Sequence, residues 1–194
     1  MRRRITIIEG HPDPSDARLN HALADRYAQA AAAAGHEVRR IAVSHMDFPL
    51  IRTYDDFYHA RAPEAILQAQ SAITAAQLLV LLYPLWLGDM PAFFKGFLEQ
   101  TFREGFAMDT TGGQFPKKLL TGKSARIIVT MGMPAFAYRW YFGAHSLKSL
   151  ERNILGFCGV SPIRVTLLGG IAEADEARRR RWLDQMATLG AAAR

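Results

Sequence analysis

Cysteine is almost absent from this 194-residue chain, which contains only Cys158. A single cysteine excludes an intramolecular disulfide and a cysteine-rich zinc site, and gives no support to an oxidising compartment. Long apolar runs are also missing: the longest, residues 78–87, is interrupted by Pro84 and is far short of the ~20 residues that span a bilayer. Only residues 5–8 separate the N-terminal arginines from Glu9, too few for a signal peptide. We therefore expect a cytoplasmic protein with no integral membrane segment.

Several motifs of other protein classes are missing as well. The six histidines show no His-Glu-x-x-His spacing, and no Gly-x-Ser-x-Gly elbow is present, which disfavours a metal hydrolase and a serine or cysteine hydrolase. We expect no bound metal. The net charge of +6 would suit an anionic partner, but no zinc-finger spacing or RNP signature accompanies it, so we expect no nucleic acid partner. The arginine run 178–181 is interpreted as a solvated helix face.

Strand-like and helix-like segments alternate along the chain. Short apolar or β-branched runs predict strands, and amphipathic segments that begin near Ser15 or Asp16, Pro63 and Pro91 predict helices. The predicted strands are residues 4–8, 37–43, 78–83, 125–130 and 161–168; the last two predicted helices are residues 144–157 and 173–189. Residues 46–59 and 105–120 are predicted as long loops. Five β-α repeats indicate an α/β fold, a doubly wound parallel sheet with helices on both faces and the flavodoxin-like strand order 2-1-3-4-5.

No composition break or linker divides the sequence, so residues 1–194 are interpreted as one domain. In such a fold the ligand lies beyond the carboxyl ends of the strands, which directs attention to the loops after the first, third and fourth strands. The first loop, residues 9–20, lacks a dinucleotide fingerprint but can hold a phosphate at a helix N-terminus, with Ser15, Arg18 and Asn20 as donors. A plain capped helix start is the alternative.

The other two loops are rich in glycine, proline and aromatic residues. Residues 83–92 would form a rigid edge suited to a planar aromatic cofactor, or a rigid turn with Trp86 in the core. Residues 130–145 contain five aromatic residues within seven positions, which suggests an aromatic pocket, a core cluster or a dimer interface. Tyr138 and His145 carry the polar hydrogens that redox chemistry on a flavin or quinone needs nearby.

Taken together, these loops resemble those of the NAD(P)H:quinone oxidoreductase family, the flavodoxin-like group that includes DT-diaphorase and the modulator-of-drug-activity proteins. The most specific segment is residues 83–102, which contains Pro84-Leu85, Pro91-Ala92 and Lys95-Gly96-Phe97 at the family's spacing. His11 and Asn20, residues 46–51 and residues 156–159 add to the similarity. The match covers roughly residues 5–170.

The resemblance implies a flavin site and assigns residues to it. The cofactor-binding residues fall into a phosphate-side group, a group that lines the flavin ring and a group at its other edge: His11, Ser15, Arg18 and Asn20; Pro84, Leu85, Trp86, Leu87 and Gly88; Thr130, Met131, Gly132 and Met133. Tyr138 and His145 would be the catalytic residues near the hydride-accepting end, although their spacing is one residue longer than in the family. Residues 46–51 favour FAD over FMN, with FMN as the alternative.

The activity implied by the resemblance is two-electron transfer, with ping-pong kinetics, from NADPH or NADH through the flavin to a quinone or similar aromatic acceptor. A homodimer is implied as well. The sequence departs from DT-diaphorase after the fourth strand, where Thr130-Met131-Gly132-Met133 replaces Thr-Thr-Gly-Gly. Two other functions stay open: a flavodoxin-type electron carrier, and a flavin-binding regulatory subunit of a potassium-efflux transporter.

Overall fold

The computed structural model describes residues 2–112 and 116–194. Its strands are β1 (Arg4–Glu9), β2 (Glu37–Ala42), β3 (Leu78–Pro84), β4 (Met108–Asp109), β5 (Lys117–Lys118), β6 (Ser124–Met131) and β7 (Ile163–Gly169). Its helices are α1 (Leu19–Ala33), α2 (Tyr54–Tyr58), α3 (Glu64–Ala75), α4 (Ala92–Thr101), α5 (His145–Lys148) and α6 (Glu176–Ala191). None of the helices within these ranges is long and apolar enough to cross a membrane.

The central sheet has five parallel strands in the order β2-β1-β3-β6-β7. Because β4 and β5 form a separate small antiparallel pair, this is the predicted order 2-1-3-4-5 counted over the strands of the main sheet. All seven residues of β3 are buried, as expected for a central strand that is covered on both faces. The predicted fold class is confirmed.

Helices cover both faces of this sheet. On one face, α1 and α6 pack on β1 and β3 through side chains that include Leu23, Tyr27, Trp182 and Met186. On the other face, α3 and α4 contribute apolar side chains such as Ile73 and Phe94 to a larger core cluster. This arrangement leaves the carboxyl ends of β1, β3 and β6 side by side at one edge of the sheet.

Several predicted boundaries are wrong. The first helix begins at Leu19 and not at Ser15 or Asp16, because residues 13–18 form hydrogen-bonded turns before it. The predicted loop 46–59 contains α2, which Thr53 and Asp56 start with a reciprocal capping box. The predicted loop 105–120 contains β4 and β5; its residues 113–115 lie outside the described residues.

The predicted helix 144–157 is α-helical only over α5 and continues as a wider π-helix over Ser149–Gly156. Gly156 permits this widening, since a Cβ at that position would lie 2.8 Å from the Glu151 carbonyl oxygen. A second π-helical turn covers Ala137–Tyr141. The predicted fifth strand starts at Ile163 and not at residue 161, and Pro162 before it has no N–H to donate to a ladder.

Candidate functional site

The loops that follow β1, β3 and β6 meet at the carboxyl edge of the sheet. The Thr130 hydroxyl donates to Asn20 Oδ1 at 2.7 Å, which ties the end of β6 to the start of α1. The Leu85 N–H donates to the Thr130 carbonyl at 2.7 Å, which ties β6 to the loop after β3. The rings of His11 and Trp86 meet edge to face with centroids 5.7 Å apart. The structure therefore brings the three predicted loops together.

Hydrogen-bond donors at this edge are left without acceptors. Asn20 is 3% exposed, and its Nδ2 makes no hydrogen bond to any residue that the structure describes. The N–H groups of Leu19 and Asn20, at the first turn of α1, have no backbone acceptor in the described parts of the chain, and neither do those of Gly132 and Met133. A buried amide without an acceptor is costly unless a ligand supplies one. Free N–H groups at a helix N-terminus are suited to an anion.

The predicted phosphate-side residues are arranged in different ways. Arg18 is exposed and its guanidinium binds the Asp13 carboxylate at 2.6 Å, so it does not stand free at the loop. The Ser15 hydroxyl is exposed and accepts a 3.4 Å hydrogen bond from the Ala17 N–H. His11 is buried, and its Nδ1 accepts from the Asp13 N–H at 3.1 Å. Burial, followed by the charge of His21, lowers the pKa of His11, which favours the neutral ring.

The loop after β3 forms a tight turn that projects from the edge. The N–H groups of Trp86 and Asp89 donate to each other's carbonyls, at 2.8 and 3.0 Å, and both intervening residues have positive φ, 49° at Leu87 and 80° at Gly88. Leucine rarely adopts this conformation. The Leu87 side chain is nevertheless fully exposed, and Trp86 is about half exposed. A strained turn that presents apolar side chains to solvent suits a flat apolar ligand.

The two predicted catalytic residues occupy different environments. His145 is exposed at the start of α5, where its ring lies close to Gly143. Tyr138 is 2% exposed, and its hydroxyl shares a 2.8 Å hydrogen bond with Ser146 and accepts from the Leu147 N–H. Protein groups therefore enclose the Tyr138 hydroxyl in this structure. Because Ser146 in turn donates to the Gly88 carbonyl at 2.8 Å, Tyr138 supports the turn after β3.

Sequence reasoning missed the acidic and basic residues beneath the first loop. Glu9, at the end of β1, is 1% exposed and binds both His21 and Arg40. Glu9 could have been found from the sequence, because its carboxylate directly follows the apolar run 5–8. A carboxylate buried at the end of such a strand requires cationic partners. Ser146 was also missed, and nothing in its sequence neighbourhood marks it.

The ends of β3 and β6 complete the edge. Pro84 and Thr130 are buried at the strand ends, with Met131 buried directly after Thr130. Gly132 is exposed, and apart from its chain neighbours no described residue lies within 4 Å of the position that a Cβ would occupy, so a ligand can approach the backbone there. Within residues 2–112 and 116–194, no three His, Cys, Asp or Glu side chains are close enough together to hold a metal ion.

Comparison with known proteins agrees with the parallel sheet and its ligand edge. A family model described as "Flavodoxin-like fold" matches residues 3–189, and the chain belongs to this family. Several of the curated relatives that it resembles carry the names of oxidoreductases, as the sequence predicted.

Among the curated relatives, the chain is 29% identical to an "Uncharacterized NAD(P)H oxidoreductase" of Haemophilus influenzae, over 92% of this chain and 89% of that protein. It is 27% identical to human "Ribosyldihydronicotinamide dehydrogenase [quinone]", over 66% of this chain and 58% of the human protein, so it spans well under two thirds of that enzyme. It is 26% identical to the Escherichia coli "Glutathione-regulated potassium-efflux system ancillary protein KefG", over 71% of this chain and 62% of that protein.

Solved structures show the same fold. The "NAD(P)H:quinone oxidoreductase from Methanothermobacter marburgensis" superposes with a TM-score of 0.83 at 19% identity, with full coverage of both chains. An "FMN-dependent NADH-azoreductase" from Bacillus anthracis, solved in complex with FMN, superposes with a TM-score of 0.76 at 16% identity, over 97% of this chain and 98% of that chain.

Proposed function

We propose that this protein is a flavin-dependent NAD(P)H oxidoreductase that transfers two electrons from NAD(P)H to a quinone or a similar aromatic acceptor. The observation that carries the proposal is the buried Asn20 amide without an acceptor, at an edge where free N–H groups from two loops also converge. The printed names of the relatives support the reaction class.

The residues at the edge fit the phosphate part of a flavin. Asn20 Nδ2 and the free N–H groups of the first turn of α1 would donate to phosphate oxygens. His11 in its neutral form accepts at Nδ1 and therefore carries its proton on Nε2, which can also donate. Ser15 and Arg18, both exposed, would line the outer side of the phosphate; Arg18 would have to leave Asp13 to contact it directly.

The residues after β3 and β6 fit the ring. Pro84, Leu85, Trp86, Leu87 and Gly88 would cover one side of the isoalloxazine, with Trp86 and Leu87 already exposed to receive it. Residues 130–133 would lie at the opposite edge, where the N–H groups of Gly132 and Met133 can stabilise negative charge on the ring. The flavin supplies hydride acceptance from NAD(P)H and hydride donation to the second substrate.

The chain's own contribution at the acceptor end falls to His145. Its imidazole is exposed and can donate a proton to an acceptor oxygen on which charge develops. Tyr138 acts as a positioning residue, because its hydroxyl holds Ser146, which holds the Gly88 carbonyl. A single open site shared by both substrates predicts ping-pong kinetics.

The proposal includes a homodimer and a cytoplasmic location, where NAD(P)H is available. Four aromatic side chains next to the site support the dimer, because exposed apolar clusters mark interfaces. They are Phe136, Trp140, Tyr141 and Phe142, between 51% and 84% exposed. FAD is the proposed flavin on the resemblance of residues 46–51, with FMN as the alternative and NADPH or NADH as donor.

Two rival functions share this site. A flavodoxin-type electron carrier would stabilise a one-electron state during slow reduction. A regulatory subunit of a potassium-efflux transporter is favoured by the KefG relative, and the exposed arginines of α6 offer a docking surface for it. Co-purification with such a transporter would favour this second rival.

The binding test compares Asn20→Ala with Asn153→Ala, an exposed asparagine outside the site. Apoprotein is titrated with FAD and with FMN while flavin fluorescence is followed, and thermal melting checks folding. We expect Asn20→Ala to weaken flavin binding at least tenfold and Asn153→Ala to leave it unchanged. Equal affinities for both variants would contradict the site. Failure of the unsubstituted protein to bind either flavin would contradict the function.

A further inference from the structure

Six charged or titratable side chains form a cluster beneath the loop after β1. The proposed flavin site uses only one of them, Arg18. The cluster, called here the Glu9 cluster, consists of Glu9, Asp13, Arg18, His21, Asp25 and Arg40. It joins β1, β2, α1 and the candidate phosphate loop. Glu9 is 1% exposed and is the most deeply buried of the carboxylates.

The contacts around Glu9 fix its ionisation. Its Oε1 accepts a hydrogen bond from Arg40 Nε at 2.9 Å and lies 2.7 Å from Arg40 Nη2 in the same ion pair. Its Oε2 lies 2.9 Å from His21 Nδ1. Because the Arg40 guanidinium is permanently charged and pairs with Oε1, Glu9 is a carboxylate and can only accept hydrogen bonds. The proton between Glu9 and His21 therefore belongs to His21 Nδ1.

The other nitrogen of His21 also requires a proton. His21 Nε2 lies 2.9 Å from the Asp13 carbonyl oxygen, which can only accept a hydrogen bond. A neutral imidazole has one N–H and would leave a lone pair facing one of these two acceptors. Both contacts are satisfied together only when His21 is an imidazolium.

The positive charge of the His21 imidazolium balances the excess of carboxylates in the Glu9 cluster. The three carboxylates of the cluster face two guanidiniums, so the cluster is neutral with an imidazolium at His21 and carries one excess negative charge without it. An excess negative charge at the phosphate loop would repel an anionic ligand. Loss of the Nε2 proton would also release the Asp13 carbonyl and with it the turn that Asp13 forms with His11 and Ser15.

We infer that His21 is a cationic positioning residue that shapes the loop after β1 and balances its acidic groups, so that the loop accepts a ligand phosphate. This inference rests on the proposed flavin site and deepens it. The phosphate need not touch His21 itself.

The charged groups around His21 also favour its protonated form, in agreement with its two hydrogen bonds. The titratable and charged groups that face it come from every element packed against it: Glu9 on β1, His11 and Asp13 in the loop, Asp25 on α1, and Arg40 on β2 through Glu9. Burial alone would lower the pKa of His21, but the hydrogen bonds to the Asp13 carbonyl and to Glu9 outweigh it and raise the pKa above the ordinary value.

The test measures how much a phosphate adds to flavin affinity. Apoprotein is titrated with FMN and with riboflavin, which share a ring and differ by the phosphate, between pH 6 and 9. The variants are His21→Gln, His21→Lys, which keeps a charge, and His59→Gln, a control at an exposed histidine outside the cluster. Separately, ¹⁵N NMR of the apoprotein follows the protonation of both ring nitrogens of His21.

We expect the ratio of FMN to riboflavin affinity to be about fivefold lower in His21→Gln than in the unsubstituted protein at pH 6. The two ratios should converge as the pH rises and His21 loses its proton. Because the variant and the unsubstituted protein are compared at the same pH, the titration of the FMN phosphate itself affects both affinity ratios equally. His21→Lys should keep the higher ratio up to pH 9, His59→Gln should match the unsubstituted protein, and NMR should show both nitrogens protonated at pH 6.

Three results would overturn the inference in distinguishable ways. A neutral His21 at pH 6 by NMR refutes the charge assignment, whether or not flavin binds. An equal loss of FMN and riboflavin affinity in His21→Gln refutes the phosphate role and leaves the flavin site intact. Failure of the unsubstituted protein to bind either compound, or FAD, refutes the proposed function and with it the phosphate role of His21.

Discussion

Replacement of Glu9 by glutamine tests the buried network with little change in shape. The substitution keeps the side-chain length but removes the charge that faces Arg40 at 2.7 Å and His21 at 2.9 Å. Glutamine would also place an N–H₂ group against one of two donors. The change therefore leaves two cations next to a buried, uncharged side chain.

The expected loss of stability in Glu9→Gln depends on how exposed the ionic partners of Glu9 are. Removal of one member of a fully buried ion pair costs about 3–5 kcal/mol. Arg40 is 40% exposed and keeps its pairing with Asp25, so solvent and that carboxylate offset part of the loss. We expect Glu9→Gln to lower the free energy of unfolding by about 2–3 kcal/mol.

The assay is urea unfolding at pH 7, followed by far-ultraviolet circular dichroism. Glu37→Gln is the matched control, because Glu37 lies on the neighbouring strand but is partly exposed and its oxygen is 3.6 Å from Arg39. We expect the control to change the free energy of unfolding by less than about 0.5 kcal/mol. A Glu9→Gln protein as stable as the control would refute the network as a source of stability.

Three other predictions concern packing and titration. Gly10→Ala should lower the free energy of unfolding in urea by about 1–3 kcal/mol, because its Cβ would lie 2.5 Å from the Phe94 ring. Gly112→Ala should change it very little, because apart from its chain neighbours no described residue lies within 4 Å of the position of its Cβ; equal losses would contradict the packing. Burial raises the pKa of Cys158 to about 11, so a disulfide reagent at pH 8 should label it only after unfolding, and rapid labelling of the native protein would be the opposite result. Because the folded pKa of His21 is raised, its contribution to stability is complete below its unfolded pKa of about 6.5 and is lost as the pH rises through the folded value. His21→Gln should therefore have a free energy of unfolding about 1–2 kcal/mol lower than that of the unsubstituted protein at pH 6. This difference should shrink by pH 9, and a difference that grows with pH would contradict the raised pKa of His21.

The strand order was predictable because the apolar composition of the central strands indicates that they are buried. Residues 5–8 and 78–83 are apolar over their length apart from Thr6, as strands covered on both faces must be. The start of α1 was not predictable, since Asp13, His21 and Glu9 fix the chain before it through contacts between separate elements. The capping pair Thr53 and Asp56 was a local signal for α2.

The site was predictable as three loops but not in detail. Glycine and proline after β3 and β6 indicate a rigid edge, and the position of Asn20 at the start of the first helix marks it as a candidate phosphate donor, as the family resemblance also does. Local sequence does not reveal that the Tyr138 hydroxyl is enclosed by Ser146 and Leu147, because this depends on how the π-helical turn meets α5. The positive φ of Leu87 was equally invisible, since leucine is a poor residue for that conformation.

The most direct test of the central claim is a visible absorption spectrum of the purified protein, reconstituted with FAD or FMN, before and after anaerobic addition of NADPH and of NADH. We expect a flavin spectrum that bleaches in one two-electron step with at least one nicotinamide and returns when a quinone is added. A protein that cannot be reconstituted with either flavin would contradict the account. A bound flavin that stays oxidised with both nicotinamides would contradict the reductase and favour the carrier or the regulatory subunit.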